Sequence, residues 1–136
     1  VRRPYMFQGN PNDGMPAVGG LSFCEVFMIH NRLVLVKGGG DLATGIAHRL
    51  FRSGFDIVIT EIEQPTVIRR TVAFAQSVYS EEIMVEGITA RHTTLEDVSN
   101  LLLEEKIPVL VDSRALCVPV LKPWAIIDAI VAKRNI

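Results

Sequence analysis

The sequence predicts an α/β domain in which helices cover both faces of a doubly wound, mostly parallel sheet, so that the domain has three layers. Two observations predict this class. An apolar strand runs directly into a glycine-rich turn and an amphipathic helix, and short apolar stretches then alternate with helix-length segments. With 136 residues, 49% of them hydrophobic, the chain is long enough to bury one core but short for two domains.

The first strand, helix and second strand have the clearest pattern. Leu33–Val36 is a continuous apolar run, which is typical of a strand covered on both faces of a parallel sheet. Apolar residues then recur at helical spacing over 42–51, and Gly54 is placed to end that helix. Ile57–Ile59 predicts the second strand, which ends at Thr60 and Glu61.

The middle of the chain is predicted to hold a second helix and a hairpin. Pro65 suits the first turn of a helix, and apolar residues over 67–78 would fix that helix to the sheet. The apolar stretches Ile83–Val85 and Ile88–Ala90 flank a Glu-Gly pair. This pattern predicts a short hairpin or an interrupted third strand.

The last elements are predicted from a capping signal and two apolar stretches. Thr93–Glu96 matches a capping box in front of a third helix. Val109–Val111 predicts a fourth strand, which is closed by Asp112, and Ala125–Val131 predicts a fifth. Asp128 falls inside that fifth apolar stretch, so we expect a partner such as Lys133, Arg134 or a backbone amide to pair with its carboxylate.

Composition limits the domain organisation and the partners. Residues 1–31 are predicted to form an N-terminal arm, in which Phe23–Ile29 could add an edge strand or a subunit contact in a homo-oligomer; residues 32–136 form the α/β domain. The net charge of -1 makes nucleic acid and anionic membranes unexpected partners. We find no membrane-spanning run and no CxxC pair, so we expect a cytoplasmic protein with reduced thiols.

The glycine run indicates a phosphate-binding loop. Gly38, Gly40 and Ala43 fit the pattern G-x-G-x-x-A of dinucleotide-binding Rossmann folds. The first glycine permits the tight turn after the strand, the second lets a pyrophosphate approach the backbone, and the alanine allows the helix to pack closely on the sheet. The amides that begin the helix would then face the anion. Asp41 is discordant, because a carboxylate in this turn repels a phosphate while favouring the helix.

Two further acids are candidate ligand-binding residues. Glu61 lies 21 residues after Gly40 and just past the second strand, where an acid of this fold accepts hydrogen bonds from an adenosine ribose. A carboxylate there favours NAD or another adenine nucleotide over NADP, although Arg69 and Arg70 lie nearby in sequence. Asp112 ends a strand where such sheets bind ligands, although an aspartate at a strand end also starts a turn well. The alternative to a nucleotide site also stays open: Gly38–Gly40 would then be only a tight turn from strand to helix, and Glu61 a solvated acid of a loop.

No residue pattern identifies a chemical step. The three histidines have no metal-ligand spacing, and we expect no metal site. Cys117 is a possible reactive thiol, but its apolar neighbours favour a buried position. We find no serine-hydrolase elbow, zinc-protease helix or Walker motif.

Leu33–Ile136 resembles the accessory proteins that mature selenium-dependent molybdenum hydroxylases, a family related in role to xanthine dehydrogenase accessory factors. The resemblance rests on the segments KGGGDLATGIAHRLFRSGF, TEIEQPTVIRRTVAF, VEGITA, PVLVD and LKPWAIIDAIVAKRN. It implies a Rossmann domain, a molybdenum hydroxylase as partner, and a role in maturing its molybdenum cofactor. It also implies that this chain is the N-terminal half of a longer family chain. The family motifs map onto Gly38, Gly39, Gly40, Asp41, Ala43 and Thr44, onto Thr60, Glu61, Gln64, Pro65 and Thr66, and onto Asp128, Ala129 and Lys133.

Three functions follow as hypotheses. The first is a maturation factor that binds a nucleotide, or the nucleotide-bearing molybdenum cofactor, at the glycine loop and Glu61. The second is an NAD-dependent oxidoreductase domain, which needs a hydride-transfer partner residue that the sequence does not reveal. The third is a regulatory module in which NAD or AMP changes an oligomer contact without turnover.

Overall fold

A computed structural model describes residues 32–131, and these form a single six-stranded sheet with helices packed on it. The strands are β1 (Leu33–Lys37), β2 (Asp56–Glu61), β3 (Glu82–Val85), β4 (Ile88–His92), β5 (Ile107–Val111) and β6 (Ala125–Asp128). The α-helices are α1 (Asp41–Arg52), α2 (Ser77–Ser80), α3 (Val98–Leu103) and α4 (Val118–Leu121). Three short 3-10 turns, Arg70–Val72, Phe74–Gln76 and Leu95–Asp97, complete the described elements.

The strands lie in the order β3-β4-β5-β2-β1-β6. All neighbouring pairs are parallel except β3 and β4, which form an antiparallel hairpin at one edge. β1 therefore lies between β2 and β6, with Leu35 opposite Val58 on one side and Ile126 on the other. Of the two forms expected for 83–90, the structure has the hairpin.

Alternate side chains of the central strands build a core on each face of the sheet. Val34 and Val36 of β1 lie in one cluster, together with Ala43 and Ala47 of α1 and Phe74. On the opposite face, Leu33 and Leu35 pack in a second cluster with Val98 and Leu102 of α3, and with Cys117 and Leu121. Helices thus cover both faces of a mostly parallel sheet, which confirms the α/β, doubly wound class.

The prediction of a helix that begins at Pro65 is wrong. The structure has two separate 3-10 turns and the four-residue helix α2 in place of one long helix. The segment Thr66–Val72 is rich in β-branched residues, which lose side-chain freedom in a helix. Two of the backbone amides that follow are also committed elsewhere, since Phe74 and Ala75 donate to residues of the glycine turn and α1 rather than to their own segment.

The other differences concern element ends. α1 ends where predicted, because Gly54 has a φ of +97° and donates its amide to the Phe51 carbonyl. The capping box does not form, since the chain enters α3 through a 3-10 turn whose cap residue, Thr94, makes no side-chain hydrogen bond. The last strand is shorter than predicted and ends at Asp128, whose exposed carboxylate pairs with Lys37. The basic partner is thus Lys37 of β1, which was not expected, and the Ile130 amide also donates to this carboxylate as a backbone amide was expected to. Lys133 and Arg134 lie outside the described residues. The segment Phe23–Ile29 lies outside the described residues.

Candidate functional site

The candidate site is a cavity of about 300 Å³ at the carboxyl ends of the parallel strands. The turns that follow β1, β2, β5 and β6 all line it. The chain leaves β1 towards β2 across one face, but it reaches β6, on the other side of β1, across the opposite face. Open parallel sheets bind ligands at such a switch point, because the two turns diverge there and leave a crevice.

Gly38 makes the turn out of β1. Its φ is +94°, a conformation that L side chains rarely adopt, and its amide donates to the Thr60 carbonyl at 2.8 Å. A Cβ at this position would also lie 3.3 Å from the carbonyl oxygen of Ala129, which follows β6. Glycine here keeps the ends of β1 and β6 close together.

Gly39 is enclosed by its neighbours. Its carbonyl accepts hydrogen bonds from the Ala75 amide at 2.8 Å and from the Thr44 hydroxyl at 3.2 Å. A Cβ on Gly39 would lie 3.0 Å from the Ala75 nitrogen, a tighter contact than nearly all real side chains make. Its amide donates to Oε2 of Glu61 at 2.7 Å. Gly39 therefore positions the turn and does not itself face a ligand.

Gly40 is open. Its φ of -66° is accessible to any residue, and apart from its chain neighbours no atom of residues 32–131 lies within 4 Å of the place where a Cβ would stand. Within residues 32–131, no hydrogen bond engages the amides of Gly40 and Asp41, whereas the Leu42 amide donates to Oδ1 of Asp41. These two free amides at the start of α1 lie at the cavity wall, where backbone N–H groups attract an anion.

Glu61 joins the turn after β2 to the glycine turn. While Oε2 accepts from Gly39, Oε1 accepts from the Ile62 amide at 2.9 Å. Each carboxylate oxygen has two lone pairs, so both oxygens retain an acceptor site for a ligand hydroxyl. The half-buried carboxylate lines the cavity beside Gly40.

The remaining charges at the cavity are mostly acidic. Asp41 is half exposed and forms a long ion pair of 3.8 Å with Arg69. Lys37 is held by Asp128 at 3.4 Å, and the adjacent Ile130 amide lowers the pKa of that carboxyl, with Lys37 contributing. An anionic ligand would therefore depend on backbone amides rather than on a free lysine or arginine.

Asp112 lines the cavity, but its carboxylate accepts hydrogen bonds from the turn that follows it. Oδ1 accepts from the Leu116 amide at 2.9 Å, and Oδ2 accepts from the Cys117 amide at 2.8 Å. Partial burial works to raise the pKa of Asp112, but these hydrogen bonds outweigh it and the pKa falls below its ordinary value. Burial and the nearby Asp112 carboxylate raise the pKa of Cys117 to about 12, so its thiol stays protonated. The expectation of a buried Cys117 is confirmed.

Two predicted site residues lie away from the cavity. Thr44 is 3% exposed, and its hydroxyl accepts from the Phe74 amide at 2.9 Å while it donates to Gly39. Gln64 is exposed and is not part of the cavity wall. Ala43 is buried and does line the cavity, at the point where α1 meets the sheet.

The sequence analysis missed the apolar walls of the site. The segment Pro65–Ile68 lines one side and Ala129–Val131 lines the other, while Ile62 contributes from the end of β2. Several of these side chains are largely exposed, Ile68 at 84% and Val131 at 68%. The available signal was the apolar pair Val67 and Ile68 shortly after the end of β2, which was instead assigned to a helix.

The described residues contain neither a metal-ligand cluster nor a membrane-spanning helix. Among residues 32–131, no group of three His, Cys, Asp or Glu side chains is placed to hold a metal ion. The same residues include no helix of the length and apolar character that crossing a bilayer requires.

One known protein is similar to this chain. Over 121 residues the chain is 45% identical to a protein of Escherichia coli (strain K12) named "Uncharacterized protein YqeB". The aligned part is 88% of this chain but only 22% of YqeB, so the chain spans about a fifth of that relative's length. The alignment is longer than the segment 32–136 and so extends into residues 1–31. No protein-family model and no solved structure matches the chain.

Proposed function

We propose that the chain binds an adenine nucleotide, or the nucleotide part of a larger cofactor, in the cavity at the switch point. The observation that carries the proposal is the open space at Gly40, which lies beside the Glu61 carboxylate and two unengaged amides. A phosphate would accept hydrogen bonds from the amides of Gly40 and Asp41. The ribose hydroxyls would donate to the acceptor sites left on Glu61.

The site chemistry favours one class of nucleotide. The carboxylates of Asp41 and Glu61 repel a second phosphate on the ribose, so NAD or AMP is preferred over NADP. Arg69 is engaged by Asp41 and is not part of the cavity wall, so it does not offset this preference. The apolar side chains of Ile62, Val67 and Ile130 provide surfaces on which a planar base can pack.

For the biological role, we propose an accessory protein that serves the maturation of a selenium-dependent molybdenum hydroxylase. The resemblance runs through the segments Gly38–Thr44 and Thr60–Thr66, which supply much of the cavity wall. The nucleotide end of a molybdenum cofactor fits the free amides and Glu61, and the cofactor would supply the redox metal. A cavity of about 300 Å³ holds the nucleotide end, so the rest of such a ligand would extend beyond it.

Calorimetric titration with AMP, NAD and NADP tests the binding proposal. We expect AMP and NAD to bind and NADP to bind more weakly. Gly40→Val should abolish binding without unfolding the protein, because its side chain enters the cavity from an unstrained backbone. Gly45→Val is the matched control, since Gly45 lies further along in α1, has open space around it, and is not part of the cavity wall. Equal binding by wild type and Gly40→Val would refute the site.

Two further readouts separate the roles of a binding protein. A pterin nucleotide that competes with AMP supports the maturation role, and failure to compete contradicts it. Oxidation of reduced nicotinamide with a carbonyl substrate would instead make the chain an oxidoreductase domain. A nucleotide-dependent change in mass on ultracentrifugation would make it a regulatory module.

A further inference from the structure

We propose that the outer face of α1 is a docking surface for an acidic amphipathic helix of a partner protein. The surface consists of Leu42, Gly45, Ile46 and Arg49, and we call it the α1 outer face. These residues follow the spacing i, i+3, i+4 and i+7, which places them in one stripe along the helix. The helix has a different, buried stripe that contains Ala43 and Ala47 and packs on the sheet.

The α1 outer face is apolar where a surface helix is normally polar. Leu42 is 65% exposed and Ile46 is 38% exposed. Grooves run along both sides of this stripe. One lies towards β6 and includes Ile127, and the other lies towards the β3–β4 turn and includes Val85. An exposed apolar stripe between two grooves is the shape that receives a second helix.

Gly45 allows that second helix to come close. Glycine inside a helix costs about 1 kcal/mol relative to alanine, and no positive φ requires it at this position. No atom of residues 32–131 lies within 4 Å of where its Cβ would stand, so packing within the described domain does not require it either. A small residue at the centre of the stripe reduces the distance at which another backbone can pack.

The charges around the stripe select an acidic partner. Arg49 lies in the stripe, and the guanidinium groups of Arg52 and Arg69 line the groove towards the β3–β4 turn. Arg52 donates to the Glu86 main-chain carbonyl at 3.2 Å, which holds its side chain without neutralising its charge. Asp41 and Glu86 are the acidic residues of this groove, so its three arginines leave an excess of positive charge.

The same charges argue against a second copy of this chain as the occupant. A two-fold contact through the α1 outer face would set this surface, with its excess of positive charge, against an identical surface of the partner. Like charges opposed in an interface cost affinity, whereas carboxylates spaced along a partner helix would pair with the separate guanidinium groups. A small anion fits less well, because the arginines are spread along the groove and two of them already have contacts.

Fluorescence anisotropy with synthetic helical peptides tests the proposal. The probe is a peptide with leucines at helical spacing and glutamates on both flanks, and the comparison peptide has lysines in place of the glutamates. We expect the acidic peptide to bind the wild type and the lysine peptide not to bind. Gly45→Leu and Arg49→Glu should each weaken binding by roughly tenfold or more, as truncations at interface centres do.

Arg114→Glu is the control, because it makes the same charge change at an exposed position outside both grooves. It should leave peptide affinity within about twofold, since an exposed charge outside the contact surface is screened by solvent. Thermal unfolding checks that each variant is folded. Leucine is a better helix former than glycine, so Gly45→Leu is expected to fold.

Three results would overturn the proposal: no binding of the acidic peptide to folded wild type, equal binding of both peptides, or unchanged binding by Gly45→Leu and Arg49→Glu. Self-association of the wild type that Gly45→Leu abolishes would assign the surface to a second copy instead. Inorganic phosphate that competes fully with the peptide would assign it to a small anion.

Discussion

The three glycines that follow β1 are required for different reasons. Gly38 needs a backbone conformation that other residues avoid, whereas Gly39 needs the absence of a side chain because Ala75 lies against it. Gly40 needs neither, since its backbone is ordinary and the space around it is open. Only at Gly40 does the fold leave glycine unexplained, so we assign its role to a ligand.

This difference predicts that replacement by alanine affects the free energy of unfolding unequally at Gly39 and Gly40. Gly39→Ala should lower the free energy of unfolding by about 1–3 kcal/mol, because the new methyl group overlaps the Ala75 backbone. Gly40→Ala should change it by less than about 0.5 kcal/mol, as surface substitutions usually do. Urea unfolding of both variants measures the difference, and equal losses would contradict the packing that we describe.

Residue types predicted the parts of the site but not all of their contacts. The spacing of Gly38, Gly40 and Glu61 placed the carboxylate at the glycine turn, where the structure has it. The sequence could not reveal that Glu61 bonds the Gly39 amide, and for Asp112 it left open the ligand role and the turn role, of which the structure has the turn role. These contacts depend on which side-chain rotamers the folded surroundings allow, and spacing does not determine them.

At the scale of elements, the turn 112–117 depends on one carboxylate. Asp112→Asn should lower the free energy of unfolding by about 1–2 kcal/mol at neutral pH, because the charge-assisted bonds to Leu116 and Cys117 weaken. The folded-state pKa of Asp112 is below the ordinary pKa of an aspartate, which it has in the unfolded chain. The wild type should therefore keep this advantage above that value and lose it as the pH falls through the lower folded-state pKa.

Urea unfolding of both proteins over a series of decreasing pH values measures this dependence. The difference between wild type and Asp112→Asn should shrink towards zero in acid. A difference that stayed constant with pH would mean that the carboxylate charge is not what holds the turn.

Element types followed from periodicity where the pattern was strong, as in α1 and the central strands. The helix prediction for the segment that follows Pro65 failed because the apolar residues of this segment are spaced as in a helix. In the structure these residues have two other roles. Some of them line the cavity, while Phe74 and Ala75 pack against α1 and the glycine turn. Periodicity reports which residues are apolar, but not whether they face one common surface.

At the scale of the whole molecule, the sheet order brings together the four turns that line the cavity, all at the carboxyl ends of their strands. The sequence predicted this architecture because buried parallel strands have a distinctive composition. It did not predict the position of the hairpin at the far edge or of β6 beside β1. Those placements depend on contacts between residues far apart in the chain, such as Gly38 with Ala129.

Because a ligand in this cavity contacts turns from four strands, it should stabilise the whole fold. At a nucleotide concentration of about 100 times the dissociation constant, the free energy of unfolding should rise by about 2.7 kcal/mol. Thermal unfolding with and without AMP measures the rise, and Gly40→Val should show none. A binding ligand that left the unfolding midpoint unchanged would indicate that it also binds the unfolded chain.

The bonds that Ala75 and Thr44 make to the Gly39 carbonyl have a consequence for how binding is controlled. They fix the glycine turn before any ligand arrives, so association of the proposed nucleotide would need little free energy to order that turn. The holding groups belong to the crossover after β2 and to the buried side of α1. Sequence changes there, away from any ligand atom, would thus appear as weaker affinity rather than as altered selectivity.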